Sequence, residues 1–139
     1  MSELQLQRYQ VTVEGQTVLL EYDPAGDMLE ILFSQGVASG AIELADPIIL
    51  RFDRETGQAL SLSILTFSQV IKATELGPRS FPLDGLGSLP DGLRKMVVKM
   101  ITTPPVSRFL KVAAYYPQPE RSPVPISYVE QSLALPVFV

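Results

Sequence analysis

The chain has 139 residues, 46% of them hydrophobic and 19% charged, with a net charge of −4 and neither histidine nor cysteine. That length fits one domain with a sizeable core, and the composition excludes a wholly disordered chain. The missing residue types exclude a Ser-His-Asp triad, a thiolate nucleophile, a disulfide framework and a zinc centre of the usual ligands.

Mean hydropathy is +0.21. No apolar run approaches the ~18 residues of a membrane helix, so the excess points to a large core or a subunit interface. The N-terminus, Met1-Ser2-Glu3-Leu4-Gln5, lacks a basic segment followed by an apolar one, and a cytoplasmic protein without membrane association is expected. Charge is uneven. Residues 1–60 hold ten acids against three bases, and the remainder eight bases against five acids. Complementation within one fold explains the split more simply than a nucleic-acid surface, so no nucleic-acid partner is expected.

In chain order, Tyr9, Val11 and Val13 alternate with Gln10 and Thr12, the pattern of a half-buried strand. Glu14-Gly15-Gln16 supplies a turn, and residues 17–22 form the returning strand of a hairpin. Asp23-Pro24-Ala25-Gly26-Asp27 is the next turn: Pro24 presets φ, and Gly26 is assigned the left-handed conformation. Residues 28–33 return. Gly36, Ser39 and Gly40 mark a connection, and residues 48–53 make a strand with Ile48, Leu50 and Phe52 on one face. Asp53-Arg54-Glu55-Thr56-Gly57 turns the chain into residues 59–65, where Leu60, Leu62 and Ile64 alternate with Ser61 and Ser63.

Beyond Thr66 the period changes. Residues 67–75 are expected to form a short helix capped by Thr66 or Ser68 and stopped at Gly77-Pro78. Residues 79–88 read as a loop. A second helix starts with Ser88 as N-cap and Pro90 and Asp91 in its first turn, and it buries Leu89, Leu93, Met96, Val97, Met100 and Ile101. Thr102-Thr103-Pro104-Pro105 ends it, and residues 106–116 read as a further strand. A proline-rich stretch follows, then an apolar tail over residues 126–139.

The expected fold is α+β: an antiparallel β-meander of about six strands with one or two helices packed on it. Residues 1–139 are read as a single domain, with a β-hairpin core over 1–66 and a helix, strand and apolar extension over 67–139. The tail cannot remain in water, so a homodimer or a protein partner is expected across Ile126, Tyr128, Leu133, Leu135, Val137 and Phe138.

The carboxylates Glu21, Asp23, Asp27 and Glu30 gather at one hairpin end, where oxygen ligands could coordinate Ca²⁺ or Mg²⁺; Asp23 and Asp27 are the metal-ligand candidates. Against this, Asp23 suits the role of capping turn amides, and the others suit solvated strand ends. Arg94, Lys95, Lys99, Arg108 and Lys111 read as a solvated helix face and strand edge, because interleaved aromatics and a glycine-rich phosphate loop are missing. No catalytic residue and no cofactor is implied. The leading expectation is a non-catalytic, oligomeric interaction module; the alternative is a small-ligand or divalent-metal binding protein using the acidic hairpin ends.

Tyr22-Asp23, Asp27 and Leu29-Glu30-Ile31-Leu32-Phe33, followed by Ile48-Ile49-Leu50-Arg51-Phe52-Asp53 and Gly57, form a pattern over residues 18–65. It resembles a family of short bacterial domains of unknown function, some members of which are labelled antitoxin-like. The family's last strand carries Gly-Ile-Glu-Ile, where this chain has Ser61-Leu62-Ser63-Ile64. The resemblance implies the hairpin fold and a bacterial source, and it assigns no chemistry.

Overall fold

The computed structural model describes residues 6–75, 77–115 and 124–130. Six strands build the main sheet: β1 (Gln7–Val13), β2 (Gln16–Asp23), β3 (Met28–Leu32), β4 (Gly40–Ala45), β5 (Ile48–Asp53) and β6 (Gln58–Ile64). Their order is β1-β2-β3-β6-β5-β4, antiparallel throughout. The chain thus lays down two three-stranded meanders and joins them through β3 and β6. Residues 33–39 carry it from the centre of the sheet to the far edge.

β4 occupies residues that the sequence reading assigned to a connection. Its opening Gly40 hides it from a propensity argument, yet the glycine is required there. A Cβ would stand 2.6 Å from the Phe52 ring. The strand expected at 106–116 is also corrected: Val106–Arg108 is a 3₁₀ turn. Among the described residues of that stretch Leu110–Tyr115 is extended and lies outside the main sheet, and Tyr116 is outside the described residues.

Short pieces follow β6. They are α1 (Phe67–Val70), a small ribbon of β7 (Ala73–Thr74) and β8 (Gly77–Pro78), β9 (Phe81–Pro82) and a 3₁₀ turn over Asp84–Ser88. Next come α2 (Asp91–Ile101), β10 (Leu110–Tyr115) and β11 (Val124–Val129), the last two forming a second sheet in the order β10-β11-β9. The expected helix at 67–75 is a single turn, because Thr66 leaves β6 in the left-handed region (φ 47°) and the chain straightens after Ile71. Pro90, rather than Ser88, precedes the first residue of α2; the Ser88 hydroxyl donates to the Gly85 carbonyl inside the 3₁₀ turn.

Alternation sets the core. Val18, Leu20, Leu29, Ile31, Ile42, Leu44, Ile48, Leu50, Leu62 and Ile64 are buried on one face of the main sheet. Phe67, Val70, Leu86, Val97, Ile101, Val106, Leu110 and Val129 belong to the same hydrophobic cluster, so the second half of the chain covers that face. Each fully buried aliphatic side chain contributes about 1.5–3 kcal/mol relative to exposure. The opposite face is polar at its centre: Arg51 Nη1 donates to Ser63 Oγ (2.8 Å), which donates to Glu30 Oε1 (2.9 Å).

Candidate functional site

The β2–β3 and β5–β6 hairpins of the main sheet turn through the same kind of loop. Asp23 Oδ1 accepts the Ala25 amide (3.0 Å), and Asp53 Oδ1 accepts the Glu55 amide (2.8 Å). These Asx turns follow from an aspartate whose carboxylate reaches the backbone two residues on. Gly26 does not take the left-handed conformation expected of it; Asp27 does, at φ 50°. Gly26 is instead pressed against the Asp23 carboxylate, where a Cβ would meet Oδ2 at 3.1 Å.

Asp27 tolerates that backbone because its carboxylate is heavily engaged. Oδ1 accepts the Tyr22 hydroxyl (2.8 Å) and the Ser68 amide (3.0 Å), Oδ2 accepts the Ser68 hydroxyl (2.6 Å), and the Asp27 carbonyl accepts the Phe67 amide (2.9 Å). The aspartate caps α1 from a distant hairpin. Burial pushes the Tyr22 phenol up to about 12, helped by the bond to Asp27 and by the charges of Asp27 and Asp23. Partial burial alone would raise the Asp27 carboxyl, but the Ser68 hydroxyl and amide and the Tyr22 phenol outweigh it, and the carboxyl lies below its ordinary value.

The other acidic residues of this hairpin also face protein donors. Glu21 pairs with Arg8 at 2.8 Å, and Glu30 holds Ser63 and lies 3.6 Å from Arg51. Among the described residues no three carboxylates gather into a group. Of the basic residues, Lys95 and Lys99 are exposed on α2 as expected, whereas Arg94, Arg108 and Lys111 also serve as struts. Arg94 donates to the carbonyls of Leu86 (2.9 Å) and Leu89 (2.8 Å), Arg108 pairs with Glu14, and Lys111 lies 3.6 Å from Glu130.

A cleft of about 550 Å³ opens where the β5–β6 turn meets the end of α2. Glu55, Gln58 and Lys99 line it together with Met96, Met100 and Pro105. Sequence reasoning did not find it, since its walls are separated by some forty positions and carry no spacing signal.

The two edges of the main sheet differ sharply. At β4 the 3₁₀ turn lies directly on the strand: a Cβ on Gly85 would collide with the Glu43 carbonyl oxygen. Arg94 clamps that turn to α2. At β1, Gln7, Arg8, Gln10, Val11 and Thr12 are exposed, and among the described residues the strand pairs with β2 alone. Exposed Leu6 and Leu19 lie close by in sequence and register. Of the expected interface, Ile126 and Tyr128 are half-buried in β11, and Leu133, Leu135, Val137 and Phe138 lie outside the described residues. Among the described residues no helix is long and apolar enough to cross a membrane.

Comparison with protein-family models, with curated proteins and with solved structures finds no match to this chain.

Proposed function

We propose that the chain is a non-catalytic, oligomeric interaction module that receives a protein partner along the open edge of β1. The observation that carries this reading is the contrast between the two sheet edges: β4 lies beneath the Asp84–Ser88 turn, while β1 stands exposed with its outer backbone groups unshared among the described residues. A strand in that state offers a row of amides and carbonyls to an extended chain, and addition of a strand is a recurrent mode of protein recognition. The engagement of Glu21, Asp27 and Glu30 with the chain's own donors supports a structural role for the acidic hairpin.

The test is copurification from the protein's own cells, with wild type beside Gln10→Pro, a change at the middle of the open edge. Proteins retained by a tagged wild type and lost from the tagged variant, an untagged second copy of this chain included, support the reading. An identical set from both chains, or a small molecule as the sole companion, overturns it.

A second reading, a small-ligand protein, rests on the cleft beside the acidic β5–β6 hairpin end, whose volume lies in the range of ligand sites. Binding of an amphipathic small molecule that is abolished by Met96→Trp, with the melting temperature unchanged, would favour it.

A further inference from the structure

The identity of the partner follows from the chemistry of β1, and this step rests on the edge reading above. Folded proteins blunt free sheet edges with lysine, proline, bulges or a covering segment. The β4 edge has two of these devices, a register break between Glu43 and Ala45 and the turn carrying Gly85. β1, reading Gln-Arg-Tyr-Gln-Val-Thr-Val, has no lysine and no proline, and its pairing with β2 runs without a break from Gln7↔Tyr22 to Val13↔Gln16.

The hairpin fixes which backbone groups point outward. Glu14 and Gly15 both have positive φ (51° and 78°), the signature of a two-residue type I′ turn closed by Val13 and Gln16. In such a hairpin the closing residues exchange hydrogen bonds, and the direction of the backbone groups then alternates along the strand. Gln7, Tyr9, Val11 and Val13 therefore spend theirs on β2. Arg8, Gln10 and Thr12 direct theirs away from it.

We propose that the partner is a second copy of this chain, its β1 pairing antiparallel with β1 about a twofold axis through Gln10, so that the two main sheets become one. This register opposes Gln10 to Gln10 and Arg8 to Thr12, engaging the outward groups of all three residues on both strands in about six backbone hydrogen bonds. An axis through Val11 would set Arg8 against Glu14, whose backbone is not extended; an axis through Tyr9 would set Thr12 against Leu6, beyond the strand. The side chains agree. Tyr9 meets Val11 on one face, an aromatic and β-branched pair, and the strand's single charge, Arg8, meets a threonine rather than a like charge. An interface of this kind is isologous and closed, and it removes the edge that would otherwise propagate.

Sedimentation velocity of the purified full chain at micromolar concentration tests the proposal. Wild type is expected to be a dimer. Gln10→Lys and Gln10→Glu, each placing like charges face to face on the axis, are expected to weaken dimerisation at least tenfold, and an equimolar mixture of the two is expected to restore it. Gln10→Pro removes an outward donor without touching the β2 ladder and is expected to be monomeric with an unchanged circular dichroism spectrum. Should the proline variant fail to fold, the charge pair decides alone, because Gln10 is exposed. A wild-type dimer unmoved by both charges, or a mixture that stays monomeric, overturns the pairing. A monomeric wild type whose copurifying proteins are still lost with Gln10→Pro overturns the second copy and leaves the edge reading standing. A monomeric wild type whose copurifying proteins are retained overturns both.

Discussion

Asp27 and Gly57 hold the same position in two loops of one shape. Each is the fourth residue after a capping aspartate, and each has positive φ, 50° and 72°. Glycine adopts that conformation freely, whereas aspartate does so at a cost. The difference has a local cause: Asp27 ties the hairpin to Tyr22 and Ser68, and Gly57 has only to turn the chain.

The acid limb of stability should depend on Asp27. Its carboxyl lies below the ordinary 3.8 in the folded chain, so its contribution is complete above that value and is lost as pH falls through the lower folded one. Urea unfolding from pH 6 down to pH 2 is expected to show a shallower loss of midpoint for Asp27→Asn than for wild type. At pH 7 the variant should be less stable by about 1–3 kcal/mol, the scale of hydrogen bonds to a charged acceptor.

At the alkaline end the sign reverses. The Tyr22 phenol is raised from 10.0 to about 12, so its neutral form stabilises the fold below pH 10 and that contribution fades as pH rises toward 12. Ultraviolet titration should show the highest tyrosine transition disappearing in Tyr22→Phe. Persistence of that transition would assign it elsewhere.

Gly57→Ala should cost about 1–2 kcal/mol, the penalty of placing a Cβ in the left-handed region. The added methyl would meet Met96 Cγ at 3.6 Å, an ordinary contact, so the loss comes from the backbone. Chemical denaturation measures it, and Gly57→Asn, a better left-handed residue, should recover part of the stability.

Gly85→Ala is expected to be more damaging than Gly57→Ala, by more than about 2 kcal/mol, because the methyl would have to displace the Glu43 backbone. Amide exchange should locate the damage: the β4 amides lose protection first, and those of β2 and β3 last.

The sequence was most legible where a local rule governs. Alternation located β1, β5 and β6, the Glu14-Gly15 and Asp23–Asp27 turns located β2 and β3 as returning strands, and the aspartate-to-glycine spacing located the β5–β6 turn. α2 was visible through its apolar stripe and its proline stop. β4 was missed because Gly40 lowers strand propensity for a reason that lies in Phe52, which no neighbour in sequence reveals. The left-handed residue of the β2–β3 loop was placed at Gly26 rather than Asp27 for a similar reason: Ser68, whose amide and hydroxyl hold the Asp27 carboxylate, comes from a helix 41 positions away.

What the chain's own sequence determined is five of the six strands of the main sheet, the turns within their hairpins and the side of those strands that is buried, since these follow from side-chain period and turn chemistry over a few residues. Strand order, the cleft and the contrast between the two sheet edges were decided by tertiary structure alone. Each depends on which segments meet after loops close, and the physical terms that settle it, steric room at Gly85 against Glu43 and the bonds from Ser68 to Asp27, act between residues far apart in the chain.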